Sequence, residues 1–428
     1  MRLIPLLLAL VIAPALAEEK PLTLEVALAA ADAAHPLMQS AQANLDLALA
    51  DQQLAASSTD ATLSAEGVLR RGKTVVNPDG WEADNLGRLV LRKTLFDFGR
   101  ERGQVEAAAH EVNARRLDLL DTRDARRIDI MARFFDVLLA DAQQAADNEY
   151  TAVLYVNWDD SKRRYELGEM SARDLAQKEA SYQDLREQRN QSQLAQRATR
   201  QKLANALNQP GKLPAELVPP SLGQNDQALL SYEELLPAAL QSNRRLLAMQ
   251  RQLDAVASRI EAVRAGRAPT VELELATGDY SRDAITRDRY SGGLILNWPI
   301  YQGERVDSRL ARQFAERSRI EAEAEQYRRS LAESLLDTLQ EIEWLRGSAR
   351  PAAKVQMDYR DKALDRARAE YELEMRSNLG GSMADTQVAA IRANRVEFRL
   401  ALALARLEAL VGRPLAELAP QTKLMEKQ

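Results

Sequence analysis

Apolar residues recur along most of this chain at spacings of three and four, and in four short stretches the spacing drops to two. The first pattern is helical. Ile128, Met131, Phe135, Leu138, Ala142 and Ala145 follow one another at intervals of 3, 4, 3, 4 and 3, and Leu331, Leu335, Thr338, Ile342 and Leu345 repeat the motif. This is the seam of helices packed side by side as in a coiled coil. The segment from Arg100 to Tyr165 predicts a helix of roughly 65 residues, about 100 Å long at 1.5 Å per residue. Pro351 falls inside a second long helix and is expected to kink it, because proline removes a backbone donor.

The second pattern is that of strands. Leu63, Ala65, Gly67 and Leu69 alternate with Thr62, Ser64, Glu66 and Arg70, and Leu89, Leu91 and Leu95 stand opposite Arg88, Arg92 and Thr94. Later, Val271, Leu273 and Leu275 alternate with Glu272, Glu274 and Ala276, while Leu294, Leu296 and Trp298 oppose Ile295 and Asn297. Strands are therefore expected at about 61–73, 86–96, 270–281 and 290–301. Each is near the length of a tilted transmembrane strand. One such hairpin alone fits equally a soluble sheet with one face on a core.

The chain is written twice. A shift of 208 residues aligns Leu22 with Leu230, Glu25 with Glu233 and Leu28 with Leu236, and sets ATLSAEGV (from Ala61) on PTVELELA (from Pro269). A shift of 205 sets LFDFGR (95–100) on IYQGER (300–305). YELGEMSARD and LANALNQP in the first half answer YELEMRSNLGGSMAD and LEALVGRP in the second. Ordered markers at a nearly constant offset indicate two large repeats, over 18–210 and 229–418. The Pro- and Gly-containing segment 211–228 reads as a connector, and 419–428 as a C-terminal tail. The expected fold is mainly helical, with two β-hairpins set into a duplicated long-helix framework. A chain then supplies four strands, which leave open edges. In hydrocarbon open edges are prohibitively costly, so a membrane reading demands assembly until a barrel closes.

Composition narrows the function classes. Residues 1–17 carry Arg2, an apolar run from Leu3 to Ala13 and the small-x-small triplet Ala15-Leu16-Ala17, the pattern of a cleaved export signal. Cleavage takes the formal charge from −5 to about −6, too mild for a nucleic-acid partner, and basic residues are scattered among acids. No later stretch has the length and apolarity of a spanning helix. With no cysteine and only His35 and His110, the chain lacks thiol chemistry and a clustered imidazole site, so no metal and no cofactor is expected. No phosphate loop or nucleophile elbow is present, and no enzymatic activity is expected. His35-Pro36 marks a helix break.

TLFDFGRERG and PIYQGERVDSRLA resemble the strand-to-helix signature of the TolC family of outer-membrane efflux proteins, as does the duplicated architecture over essentially all of the mature chain. In the second copy Pro299, Ile300, Tyr301, Gly303 and Arg305 match that signature, while the first copy has Thr94 in place of proline and a displaced Gly99. The resemblance implies a homotrimer with a twelve-stranded barrel and a periplasmic α-helical tunnel. It also implies an exit duct for efflux or type I secretion, docked through a periplasmic membrane-fusion adaptor to an inner-membrane ABC or RND-type transporter. Phe96, Gly99 and Arg100 are then the first strand-to-helix joint. Trp298, Tyr290, Tyr301, Phe96 and Trp81 are candidates for an interfacial belt facing outer-membrane lipid.

Both halves carry Ser-x-x-Asp where their two longest helices turn, SARD at 171–174 and SMAD at 382–385. The plain expectation is helix capping by Ser171 and Ser382. The resemblance adds a gate at the periplasmic tip, where threefold symmetry makes Asp174 and Asp385 into rings of like charge that attract cations. Arg173 and Arg376 are candidate ties between neighbouring hairpins. The competing reading, a soluble periplasmic coiled-coil adaptor or scaffold, accounts for the helices but not for two repeated alternating hairpins.

Overall fold

The computed structural model describes residues 21–32, 35–73, 79–213, 216–282, 288–373 and 378–418. The expected signal segment 1–17, the C-terminal tail and Arg376 lie outside them. In chain order the elements of the first repeat are α1 (Leu24–Ala29), α2 (Pro36–Ser57), β1 (Thr62–Val68), β2 (Arg71–Gly72), β3 (Glu82–Ala83), β4 (Leu86–Phe96), α3 (Arg100–Glu166) and α4 (Ala172–Ala206). The second repeat runs α5 (Tyr232–Ser242), α6 (Arg244–Ala265), β5 (Thr270–Tyr280), β6 (Tyr290–Asn297), α7 (Arg305–Trp344), α8 (Arg350–Glu372), α9 (Leu379–Val411) and α10 (Leu415–Leu418). Among the described residues no helix is long and apolar enough to cross a membrane.

The chain divides into two compact units. One holds the four-stranded sheet, with the described residues of 35–125, Gln227–Trp344 and 403–418. Its strands are all antiparallel in the order β1-β4-β5-β6. Register sorts their side chains into cross-strand rows of two kinds. On one face lie Leu63, Leu91, Leu275 and Gly292 in one row, Ala65, Leu89, Thr277 and Tyr290 in the next, and Leu273 with Leu294 beside Lys93. The other face carries Thr62, Arg92, Glu274 and Gly293, then Ser64, Val90, Ala276 and Ser291, then Glu66, Arg88 and Gly278. One face is apolar and the other is laced by ion pairs. Arg88 reaches Glu66 at 2.6 Å, and Arg92 bridges Glu66 at 3.5 Å and Glu274 at 2.7 Å.

The alternation breaks once. Thr94 pairs with Glu272 but Phe96 pairs with Val271, so Leu95 is an extra residue in a bulge. The bulge reverses the parity of the strand end and brings Phe96 into the apolar row of Val271 and Leu296. Around the sheet, helices approach closely. A Cβ on Gly103 of α3 would stand 3.0 Å from the Ser258 carbonyl of α6, so only glycine fits that crossing without displacement. Val256, Ile260 and Ile320 form one apolar cluster, and Leu45, Ala48 and Val112 another.

The second unit comprises, among the described residues, 21–32 and those within Arg126–Asp226 and Leu345–Leu402. Its core gathers Leu22, Ile130, Phe134, Phe135, Val137, Leu203, Leu207, Leu217 and Phe398. The sequence stripe through Ile128, Met131 and Leu138 is only half-buried and Ala145 is exposed, whereas Ile130, Phe134, Val137 and Ala146 are buried. Both Phe134 and Phe135 are buried, so α3 here is covered over a wider arc than one two-in-seven seam provides. Arg126, also buried, donates to the carbonyls of Ala31 at 2.9 Å and Ala206 at 3.1 Å. Its guanidinium thus satisfies carbonyls at the end of α4 and in the turn after α1. Ahead of Pro351 the chain forms a π-turn over Leu345–Ala349, which absorbs the missing proline donor before α8 begins.

Phe135 stacks face to face on Phe398 with ring centroids 4.3 Å apart. Phe135→Ala should cost about 3–5 kcal/mol through lost burial and an unfilled cavity, read as a lower thermal midpoint by circular dichroism.

Candidate functional site

At the joint after β4, Phe98 (φ 56°) and Gly99 (φ 88°) are both left-handed. Asp97 holds them there. Its carboxylate accepts from the Gly99 amide at 3.1 Å and the Glu101 amide at 2.6 Å, satisfying free donors at the start of α3. Phe96 and Phe98 meet edge to face at 4.6 Å. Arg100 is exposed and opens the helix. Sequence reasoning missed Asp97, although an acid two residues before a glycine and at a helix start is itself a capping signal. At the second joint Gly303 is left-handed (φ 62°) and Gln302 donates to the Gly266 carbonyl at 2.9 Å. Pro299 precedes it, Tyr301 is 90% exposed, and Arg305 begins α7 exposed to solvent.

At the turn between α3 and α4, Ser171 is the N-cap of α4, its hydroxyl accepting from the Asp174 amide at 3.1 Å. Arg173 and Asp174 are exposed. The turn between α8 and α9 is built differently. Helix α9 starts at Leu379, so Ser382 lies one turn inside it and is not a cap; its amide donates to the Asn378 carbonyl at 3.0 Å. Asn378 stands immediately before the helix, its side chain against Gly381. The physical reason is local: an Asn followed by Leu-Gly-Gly offers an earlier helix start than Ser382 does.

Asp385 is half-buried and has two partners on other helices. It accepts from the Tyr150 hydroxyl of α3 and from Arg360 Nη1 of α8 at 2.5 Å. Thr386 Oγ1 donates to the Arg360 carbonyl at 3.3 Å, and the Arg360 guanidinium also lies over the Tyr359 ring at 5.3 Å. Burial pushes the Asp385 carboxyl up from its ordinary value. The adjacent guanidinium opposes that push, since an opposite charge at contact distance favours the ionised form. Neither Tyr150 nor Arg360 was legible as a partner, because contacts between helices more than 20 residues apart leave no spacing signal. The structure thus separates the two acids: Asp174 is a free surface carboxylate at a helix start, and Asp385 is a tie among three helices.

Close approach makes that tie possible. A Cβ on Gly380 would stand 2.5 Å from Val153 Cγ2, and Val153 is one turn of α3 beyond Tyr150. Gly380→Leu should push α9 off α3, an overpacking cost of about 1–3 kcal/mol. Hydrogen exchange of the amides over 150–156 and 379–386 should then quicken by about tenfold or more.

Residues 235–413 match the family described as Outer membrane efflux protein. No curated protein matches the sequence. Among solved structures, the chain is similar to the outer membrane protein VceC of Vibrio cholerae, with a TM-score of 0.71 and 17% identity, over 92% of this chain and 96% of that one. It is similar to the CmeC outer membrane channel of Campylobacter jejuni, with a TM-score of 0.75 and 13% identity over 91% and 85% of the two chains. The open state of the MtrE outer membrane channel of Neisseria gonorrhoeae gives 0.71 and 17% over 92% and 89%. At such identities the likeness establishes the fold, and the second repeat supplies the sequence evidence. Together, residues 235–413 match the outer membrane efflux protein family, and the fold of these channels is shared along nine-tenths of the chain.

Proposed function

We propose that three copies of this chain close their sheets into a twelve-stranded barrel in the outer membrane, and that the assembly is a passive exit duct for efflux or type I secretion. The observation that carries this is the sheet itself. Among the described residues it has two unpaired edges, β1 and β6, one face of apolar rows and one face of Glu–Arg pairs. Such a sheet suits lipid on one side and a wet lumen on the other once its edges are joined to those of further copies. Tyr290 lies on the apolar face at one end of β6, and exposed Trp298 directly follows the other end, about 26 Å away at 3.3 Å per residue of extended chain. That span suits aromatic girdles at the two interfaces. A soluble scaffold would leave these rows uncovered in water.

The long helices then form a periplasmic tunnel. The match of residues 235–413 to the outer membrane efflux protein family supports docking through a membrane-fusion adaptor to an inner-membrane transporter of the ABC or RND type. The turns α3–α4 and α8–α9 become its periplasmic mouth. In this reading Asp174 supplies the exposed acidic ring, while Asp385 with Tyr150 and Arg360 holds the hairpins closed.

Protein extracted by detergent from the outer-membrane fraction should run as a heat-resistant trimer and conduct ions in planar bilayers. A soluble periplasmic monomer would overturn the proposal. In the same bilayers Asp385→Ala should raise single-channel conductance by releasing α9 from α3 and α8. Asp174→Ala should instead weaken divalent-cation block with little change in the thermal midpoint. Unchanged conductance and block in both variants would leave these residues with structural roles alone.

A further inference from the structure

Every β4 position of the sheet's apolar face from Leu89 to Phe96 is apolar except one. Lys93 belongs to the row of Leu273 and Leu294, between the row of Leu63, Leu91, Leu275 and Gly292 and the row of Phe96, Val271 and Leu296. It is exposed, and no ion pair or hydrogen bond of its side chain occurs among the described residues. The acids of neighbouring strands, Glu66, Glu272 and Glu274, occupy the opposite face by register. Asp97, near in sequence, is engaged by the Gly99 and Glu101 amides.

A lysine on a lipid-facing strand is costly at the bilayer midplane, about 2–4 kcal/mol, and nearly neutral close to the interface. Lys93 lies one row from the Phe96 end, roughly 7 Å along the strand at 3.3 Å per residue. A lysine stem is long enough to carry its ammonium that distance while its methylenes stay in hydrocarbon. Phe96 and Trp298 mark the aromatic interface at that end, and both are about half exposed. The opposite interface, marked by Tyr290, is two rows farther from Lys93 than its own row, so the ammonium reaches only the leaflet on the helix side.

We propose that Lys93 is a lipid-binding residue, whose ammonium takes the phosphodiester of an anionic glycerophospholipid in the periplasmic leaflet. This rests on the reading of the sheet as membrane-spanning. A basic group at a membrane surface favours an anionic over a neutral headgroup by about fivefold. With three equivalent sites, the assembled protein would hold a ring of such lipids beneath the barrel.

The test is native mass spectrometry of the intact protein released from nanodiscs of mixed phosphatidylglycerol and phosphatidylcholine. Wild type should retain phosphatidylglycerol about fivefold over phosphatidylcholine per subunit. Lys93→Met should bring that ratio close to one, Lys93→Arg should restore it, and Lys162→Met, on α3 in the unit that holds none of the sheet's strands, should leave it unchanged. A Lys93→Met protein that inserts normally and keeps the wild-type ratio overturns the lipid site. Failure of wild type to enter nanodiscs at all would instead overturn the membrane-spanning reading beneath it.

Discussion

Backbone hydrogen bonding at the sheet's edges is the constraint on which the rest depends. Strands β4 and β5 are paired on both sides, whereas β1 and β6 each present one unpaired row of N–H and C=O groups. In water those groups find partners; in hydrocarbon each costs several kcal/mol. The apolar rows favour hydrocarbon and the edges forbid it for a lone copy. In the proposed membrane setting, assembly is therefore a consequence of the sheet and not an addition to it. The Glu66–Arg88 and Arg92–Glu274 pairs follow from the same arrangement, because the charges of these central rows, Lys93 apart, share the face opposite the apolar one.

The joints translate that sheet into helices. The first strand gives way to its helix within three residues and the second within seven, and both joints turn the chain with a left-handed glycine, Gly99 and Gly303. The first joint is more heavily built, with a bulge at Leu95, a left-handed Phe98 and the Asp97 cap. The second has Pro299 before its turn and needs no bulge to set the direction of its strand end. Thr94, at the position that Pro299 holds in the second joint, is thus matched by a different local solution to one geometric requirement.

Much of this was legible in sequence, and the misses have physical causes. Period-two alternation located the four strands because their two faces meet different environments. It continued the apolar row through Leu95, whereas a bulge makes Leu95 an extra residue and brings Phe96 into that row, a shift of parity that leaves no mark in the pattern itself. The heptad stripe on α3 found Phe135 but not Ile130, Phe134 and Val137, since a helix covered on more than one side buries more than one stripe. Ser171 was readable as a cap because nothing upstream competes with it. Ser382 was not, because Asn378 starts the helix a turn earlier. Tyr150 and Arg360 were invisible, being brought to Asp385 only by tertiary packing.

The two repeats share an order of elements but not a mechanical character. Helix α3 runs 67 residues without interruption, while its counterpart is divided by the π-turn at Leu345–Ala349 ahead of Pro351. That break is held by a polar clasp. Arg350 grips both carboxylate oxygens of Glu397 at 2.6 and 2.7 Å, Arg346 donates to the Asn225 carbonyl at 2.7 Å, and Asn225 returns a hydrogen bond to Glu397 at 2.8 Å. Bidentate, largely buried arrangements of this kind are directional and tolerate little displacement. They fix the irregular turn to the connector and to α9, the helix that carries Asp385. The repeat with the irregular rod is therefore also the repeat whose acid is tied to its neighbours, and the repeat with the continuous rod carries the free one. Duplication supplied two copies of one hairpin, and divergence left one as an uninterrupted strut and the other with a localised, pinned discontinuity.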